Sequence, residues 1–168
     1  MDIYHIITLP DPVLRQTAHP VNRVDDAVRA QMAKMVETMY EAEGIGLAAN
    51  QVNLLNRVTV IDTSRRENDI RNPIAMANPE IIWRSEETWV CKEGCLSIPQ
   101  MYADVERPRT VRVRYWDSSG QSQEMEVSNL ASSCVQHEID HLDGKLFIDH
   151  LSRLKRTNLL KKYEKLQR

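Results

Sequence analysis

The sequence lacks any apolar run long enough to span a bilayer, and its first residues, Met1-Asp2-Ile3-Tyr4-His5, carry neither a basic segment nor an apolar one. A spanning helix needs about 20 apolar residues, and a secretory signal needs both of those N-terminal parts. A cytoplasmic protein with no membrane partner is therefore expected. Cysteine is scarce: three residues, at 91, 95 and 134, cannot make a fully paired exported disulfide framework. A reducing compartment leaves them available as thiolates. A strong charge of one sign is missing as well. The net charge of −2 gives no global pull toward nucleic acid, and no DNA partner is expected. Internal repeats and low-complexity tracts are absent. With 42% apolar and 27% charged residues in 168 positions, residues 1–168 read as a single soluble domain able to bury a full core.

The small net charge conceals an uneven distribution. From Lys145 to Arg168 there are eight Lys/Arg against two Asp/Glu, and residues 1–144 carry fourteen against twenty-two. The basic end coincides with a predicted helix over about 152–168, capped by Ser152, with Leu159, Leu160, Tyr163 and Leu166 on its apolar face. Residues 8–23 hold three prolines and read as irregular. Asp25 or Asp26 can cap a helix running to about Glu43, because Val28, Met32, Met35, Val36 and Met39 follow helical spacing, and Gly44 then stops it. Arg57 to Asp62 reads as a strand and 63–73 as a polar loop. Beyond Pro73 the pattern is mainly short strands. Val111, Val113 and Tyr115 alternate with Arg112, Arg114 and Trp116, and Asp117-Ser118-Ser119-Gly120 is a turn into a second hairpin strand over 121–127. Ser128 can cap a helix that Gly144 ends. The fold class expected is α+β, with short antiparallel strands and hairpins packed around one central helix and a further helix at the C-terminus.

That central helix carries His137-Glu138-Ile139-Asp140-His141. Residues four apart lie on one helical face, so both imidazoles can reach one metal ion. The Glu138 carboxylate can then act as general base on a water activated by the ion. Leu130, Cys134, His137 and His141 share the face, which predicts a buried helix. Other readings stand beside this one. The histidines could be a satisfied core pair. Cys91, Cys95, His137 and His141 could close a Cys2His2 structural zinc site. A zinc endopeptidase would take its third ligand downstream, where His150, Asp149 and Glu164 are available. Asp140 reads equally as a partner of Arg107 or as a surface charge.

Two further segments, Gly44-Ile45-Gly46-Leu47-Ala48-Ala49-Asn50-Gln51 and Glu93-Gly94-Cys95-Leu96-Ser97, accompany Gln136-His137-Glu138-Ile139-Asp140-His141. In this order the three resemble the signature motifs of bacterial-type peptide deformylases. The resemblance implies a metal site of Cys95, His137 and His141, with Fe(II) as the native ion; Zn(II), Ni(II) or Co(II) could substitute, since the donor set does not name the metal. It implies oxyanion donors in the Gln51 side-chain amide and the Leu96 backbone N–H. Gly46 would offer backbone hydrogen bonds to an extended substrate. The implied substrate is an N-formyl-methionyl nascent peptide, whose side chain would lie against Ile45, Leu96, Leu130 and Cys134; each of these is otherwise plain core. Glu93 reads as a support for its loop. Ser133, where an apolar pocket residue is common, and Tyr102, where Arg is frequent, depart from many relatives. For the basic helix the resemblance implies ribosome contact, and the bland alternative is a solvated face.

Overall fold

The structure, a computed structural model, describes residues 2–64 and 70–168. Part of the predicted loop 63–73 therefore lies outside the described residues. Helix α1, Asp26–Glu41, starts where the Asp25 carboxylate accepts the Val28 amide at 2.9 Å, satisfying one of the orphan donors of a first turn. It ends short of Glu43. Glu43 itself takes the left-handed conformation, φ 58°, and the Gly44 amide donates to the Met39 carbonyl at 2.9 Å. Gly44 is needed for another reason: a Cβ there would lie 2.7 Å from Leu96 Cδ1.

Among the described residues seven strands follow, in the order β1 Gly46–Ala48, β2 Val58–Ile61, β3 Ile74–Arg84, β4 Thr88–Cys95, β5 Ile98–Pro108, β6 Thr110–Trp116 and β7 Ser122–Ser128. Five form an antiparallel sheet ordered β1-β2-β3-β6-β7, and β4 and β5 form a separate hairpin. The predicted hairpin is present, with Val111 opposite Val127 and Trp116 opposite Ser122. Strand side chains alternate between faces. Val58 and Val60 accordingly belong to one buried cluster with Met32, Met35 and Met39 of α1. Ile61 belongs to another with Cys134, Val135 and Ile139 of helix α2, Leu130–Leu142. Strand β2 is thus covered on both faces, Arg112 and Arg114 leave the outer face of β6 to solvent, and α2 is the central helix expected. A third cluster joins Ile98, Met101 and Val105 of β5 to Phe147, Ile148 and Tyr163.

The expectation that Ser128 caps α2 is corrected. Ser128 closes β7 and shares a hydrogen bond with the Thr110 hydroxyl at 2.8 Å. Asn129, at φ 57°, is the residue that turns the chain into α2. The first turn is fastened instead by the Ser132 hydroxyl, which donates to the Pro108 carbonyl at 3.0 Å. Helix α3, Arg153–Leu166, is capped by Ser152 as expected and buries Tyr163, but Leu166 is half exposed and packs on no core. Gly144 follows α2 at φ 75°, where a Cβ would meet the Arg15 carbonyl oxygen at 2.5 Å.

Candidate metal centre and active site

Three elements converge at one end of α2. Strand β1 leads into a 3-10 turn, Ala49–Val52, which buries Gln51. The Ala48 amide donates to Gln51 Oε1 at 3.0 Å, so Nε2 is aimed at Ser97 Oγ (3.0 Å) and Cys95 Sγ (3.7 Å). The β4–β5 hairpin delivers Cys95 at a register shift next to Gly94, with Leu96 and Ser97 in the turn that follows. The Ser97 amide donates to Cys95 Sγ at 3.4 Å. Helix α2 supplies His137, Glu138 and His141.

The donor atoms fit a metal ion. Cys95, His137 and His141 offer ligand atoms within 4.8 Å of one another. His141 Nε2 lies 3.3 Å from Cys95 Sγ and 3.2 Å from His137 Nε2. A tetrahedral ion with bonds of about 2.0–2.3 Å sets its donors roughly 3.3–3.6 Å apart. His137 Nδ1 is paired with Glu93 Oε1 at 2.9 Å, which turns Nε2 toward the other two donors, the orientation a metal-binding ring would need. Burial disfavours charge on His137, but hydrogen bonds with Cys95 and Glu93 and the nearby Glu138 carboxylate outweigh it, so its pKa lies well above the ordinary histidine value. Burial, with the neighbouring His137 and Arg107 charges, drives His141 well below that value. A proton and a metal ion compete for the same His137 nitrogen, so metal binding weakens in acid.

Glu138 is buried beside these donors, and burial pushes its carboxyl up to about 7. Gly46 makes this approach possible, because a Cβ on it would lie 2.7 Å from Glu138 Oε2. Gly46→Ala must displace the strand or the carboxylate. We expect the variant to lose about ten- to a hundredfold in kcat/KM, as sub-ångström misplacement of a reacting group does, with metal content unchanged. Wild-type turnover by Gly46→Ala would show that the close approach is unimportant.

A buried ion network backs the site. Arg107 donates to both Glu93 oxygens at 2.6 and 3.0 Å and to Asp140 Oδ2 at 3.0 Å, and His150 Nε2 lies 2.9 Å from the same Asp140 oxygen. Of the two readings of Asp140, the Arg107 partner is the one realised. Glu93 does more than support its loop, since it touches His137. Although burial opposes its charge, bonds from His137 and Arg107 hold its pKa below the usual carboxylate value.

A cavity of about 370 Å³ opens beside this cluster. Ile45, Gly46, Leu96, Leu130 and Cys134 all line it, together with Gln51, Cys95, His137 and Glu138. Trp89, which bonds Ser133, and the Pro99–Met101 wall of the cavity lie outside the three motifs, and Ser97, within one of them, gains a role only through its bond with Gln51. The alternation of Trp89, Cys91 and Glu93 along β4 was the available signal for the hairpin's inward face. Cys91 lines the cavity but is outside the ligand-bearing group. Of the downstream candidates, His150 faces Asp140 and Asp149 is engaged by Arg15 at 2.6 Å. Tyr102 is 62% exposed at the rim.

A helix bearing two imidazoles and a buried carboxylate, a thiol donor from an adjacent hairpin, and a cavity with polar and apolar walls beside them form an arrangement suited to a metallohydrolase. A sequence profile of the polypeptide deformylase family matches residues 3–157. The peptide deformylase of Methylocella silvestris is 54% identical over 167 residues, covering 98% of this chain and 85% of that protein. That of Bartonella quintana is 49% identical over 165 residues, covering 98% and 93%. The crystal structure of the Ehrlichia chaffeensis peptide deformylase in complex with actinonin superimposes with a TM-score of 0.93 at 34% identity, covering 100% of this chain and 99% of that one. The chain belongs to the polypeptide deformylase family and is a hydrolase of that class.

Proposed function

We propose that residues 1–168, acting as one catalytic domain, hydrolyse the formyl group from the N-terminal formylmethionine of new polypeptides and release formate. The observation that carries the reading is the buried Glu138 carboxylate beside the converging Cys95, His137 and His141 donors, at the wall of a cavity that also exposes Ile45, Leu130 and Cys134. A divalent ion held by those three residues would acidify a water and polarise the formyl carbonyl. Glu138 accepts the proton of the attacking water and passes it to the departing amine. The Gln51 amide, already aimed at Cys95 by its bond from Ala48, and the Leu96 backbone N–H donate to the oxygen that gains charge. Ile45, Leu130 and Cys134 receive the methionine side chain, and Gly46 pairs with the peptide backbone. Fe(II) is the ion proposed, with Zn(II), Ni(II) or Co(II) as substitutes, because a thiolate with two imidazoles accepts each of them.

The test is formate release from formyl-Met-Ala-Ser by protein loaded with Ni(II), or with Fe(II) without oxygen. Release should require metal and should not accompany acetyl-Met-Ala-Ser. One bound metal per chain with no release would refute the reading.

No helix among the described residues is long and apolar enough to cross a membrane, and we place the enzyme in the cytoplasm. We also propose that α3 meets the ribosome through its exposed lysines. Truncating α3 would remove buried Tyr163 from the core, so the informative change is Lys155, Lys161, Lys162 and Lys165 to Gln. Weaker, less salt-dependent ribosome co-sedimentation is expected, and unchanged co-sedimentation would rule the contact out.

A further inference from the structure

Ser133 lies one turn before His137 on α2, on the cavity wall shared with Leu130 and Cys134, and is 2% exposed. The indole N–H of Trp89, from β4, donates to Ser133 Oγ at 3.0 Å. That bond occupies a lone pair of the hydroxyl and orients it, but leaves its proton to be donated. The sulfurs of the same wall are engaged otherwise: Cys134 Sγ donates to the Ile45 carbonyl at 3.4 Å and Cys91 Sγ to the Lys92 carbonyl at 3.8 Å. Among the described residues, no acceptor is paired with the Ser133 hydroxyl proton. Between the apolar Leu130 and the engaged Cys134, this stretch of the wall therefore presents a hydroxyl fixed by Trp89, with its proton still to be donated.

We infer that Ser133 is a specificity-determining residue, its hydroxyl donating to an acceptor atom in the first side chain of the substrate. The inference rests on the deformylase reading. A thioether sulfur is a weak acceptor. Norleucine has the same length with a methylene in that place, so its binding would leave the buried hydroxyl unpaired, which is how a donor in a pocket rejects an isostere.

The test compares kcat/KM for formyl-Met-Ala-Ser and formyl-norleucine-Ala-Ser on the metal-loaded protein. Wild type should favour methionine by about threefold to tenfold, the range of one neutral hydrogen bond. Ser133→Ala should bring the ratio to one or below, since the methylene is the more apolar group. Trp89→Phe, which frees the hydroxyl to rotate, should give an intermediate ratio. Both substrates are read on one preparation, so a general loss of metal or folded protein cancels. An unchanged ratio in Ser133→Ala, or no preference in wild type, overturns the inference. If Ser133→Ala does not fold, a wild-type ratio in Trp89→Phe overturns it. Release from neither peptide by metal-replete wild type defeats the deformylase reading, and the inference with it.

Discussion

Glu138→Gln is expected to retain one metal per chain and to lose turnover by about 10²–10⁴-fold, the usual contribution of a positioned general base. Glutamine has nearly the same shape and fits the same space beside Gly46, so the loss isolates proton transfer from packing. Near-normal turnover in a metal-replete variant would remove Glu138 from the mechanism. The same substitution should stabilise the metal-free protein. Burial raises the Glu138 pKa from 4.5 to about 7, so the native state holds this proton more tightly than the unfolded chain. Stability from that protonation is fully present below 4.5 and is lost as pH rises through about 7. At pH 8 the ionised, buried carboxylate costs the native state about 3 kcal/mol, which Glu138→Gln avoids, a gain of roughly 6–12 °C in Tm. At pH 4 the two chelated proteins should melt together. Equal Tm values at pH 8 would mean that the carboxylate is better solvated than its burial implies. An ion bound by the neighbouring ligands favours the carboxylate form, so the acid limb of kcat/KM in the loaded enzyme is expected below pH 7.

Arg107→Ala should be the most damaging single change to stability. The guanidinium is 4% exposed and joins two carboxylates, Glu93 from β4 and Asp140 from α2. Removing one partner of a buried ion network leaves uncompensated charge, at about 3–5 kcal/mol, or roughly 6–20 °C in Tm. Arg107→Lys should recover only part of this, because a single ammonium cannot reproduce the two-sided fork. The pH dependence has a definite sign. Glu93 has its pKa depressed by His137 and Arg107, so its contribution is present above the unfolded value of about 4.5 and fades as pH falls through the folded one. The gap between wild type and Arg107→Ala should therefore be widest near neutrality and narrow in acid. A gap independent of pH would show that lost packing of the arginine stem dominates. Metal affinity should fall as well, since the carboxylate that orients His137 would lose its anchor.

The elements that local chemistry decides were legible in the amino-acid order. Helix α1 follows from the spacing of Val28, Met32, Met35 and Met39 after a capping Asp25. The β6–β7 hairpin follows from alternation around Asp117–Gly120. His137 and His141 share a face because a helix repeats every 3.6 residues, and Glu138 gains meaning from its place between them. Cys95 was legible only through its motif, since nothing local brings a residue 42 positions upstream beside His137. Two ends were misread for a physical reason. Ser128 has cap chemistry, but sheet pairing with Thr110 claims its hydroxyl first. Glu43 rather than Gly44 takes the left-handed turn, and the Gly44 amide closes the helix end on the Met39 carbonyl.

Only the tertiary structure decided what long-range contact alone can decide. It chose between two readings of Asp140 by placing Arg107 within 3.0 Å, and it made Glu93 a partner of His137. It left Cys91 on the cavity wall and outside the group of Cys95, His137 and His141 that could hold a metal ion. It set Gly46 against Glu138, and Trp89 against Ser133, pairs separated by many residues of chain. Periodicity and caps act over one or two turns, so the order of residues determined these elements and placed the triad of His137, Glu138 and His141 on the central helix. Buried charge and close approach arise only when the hairpin, the sheet and the helix meet, and those contacts determined the environment in which that triad works.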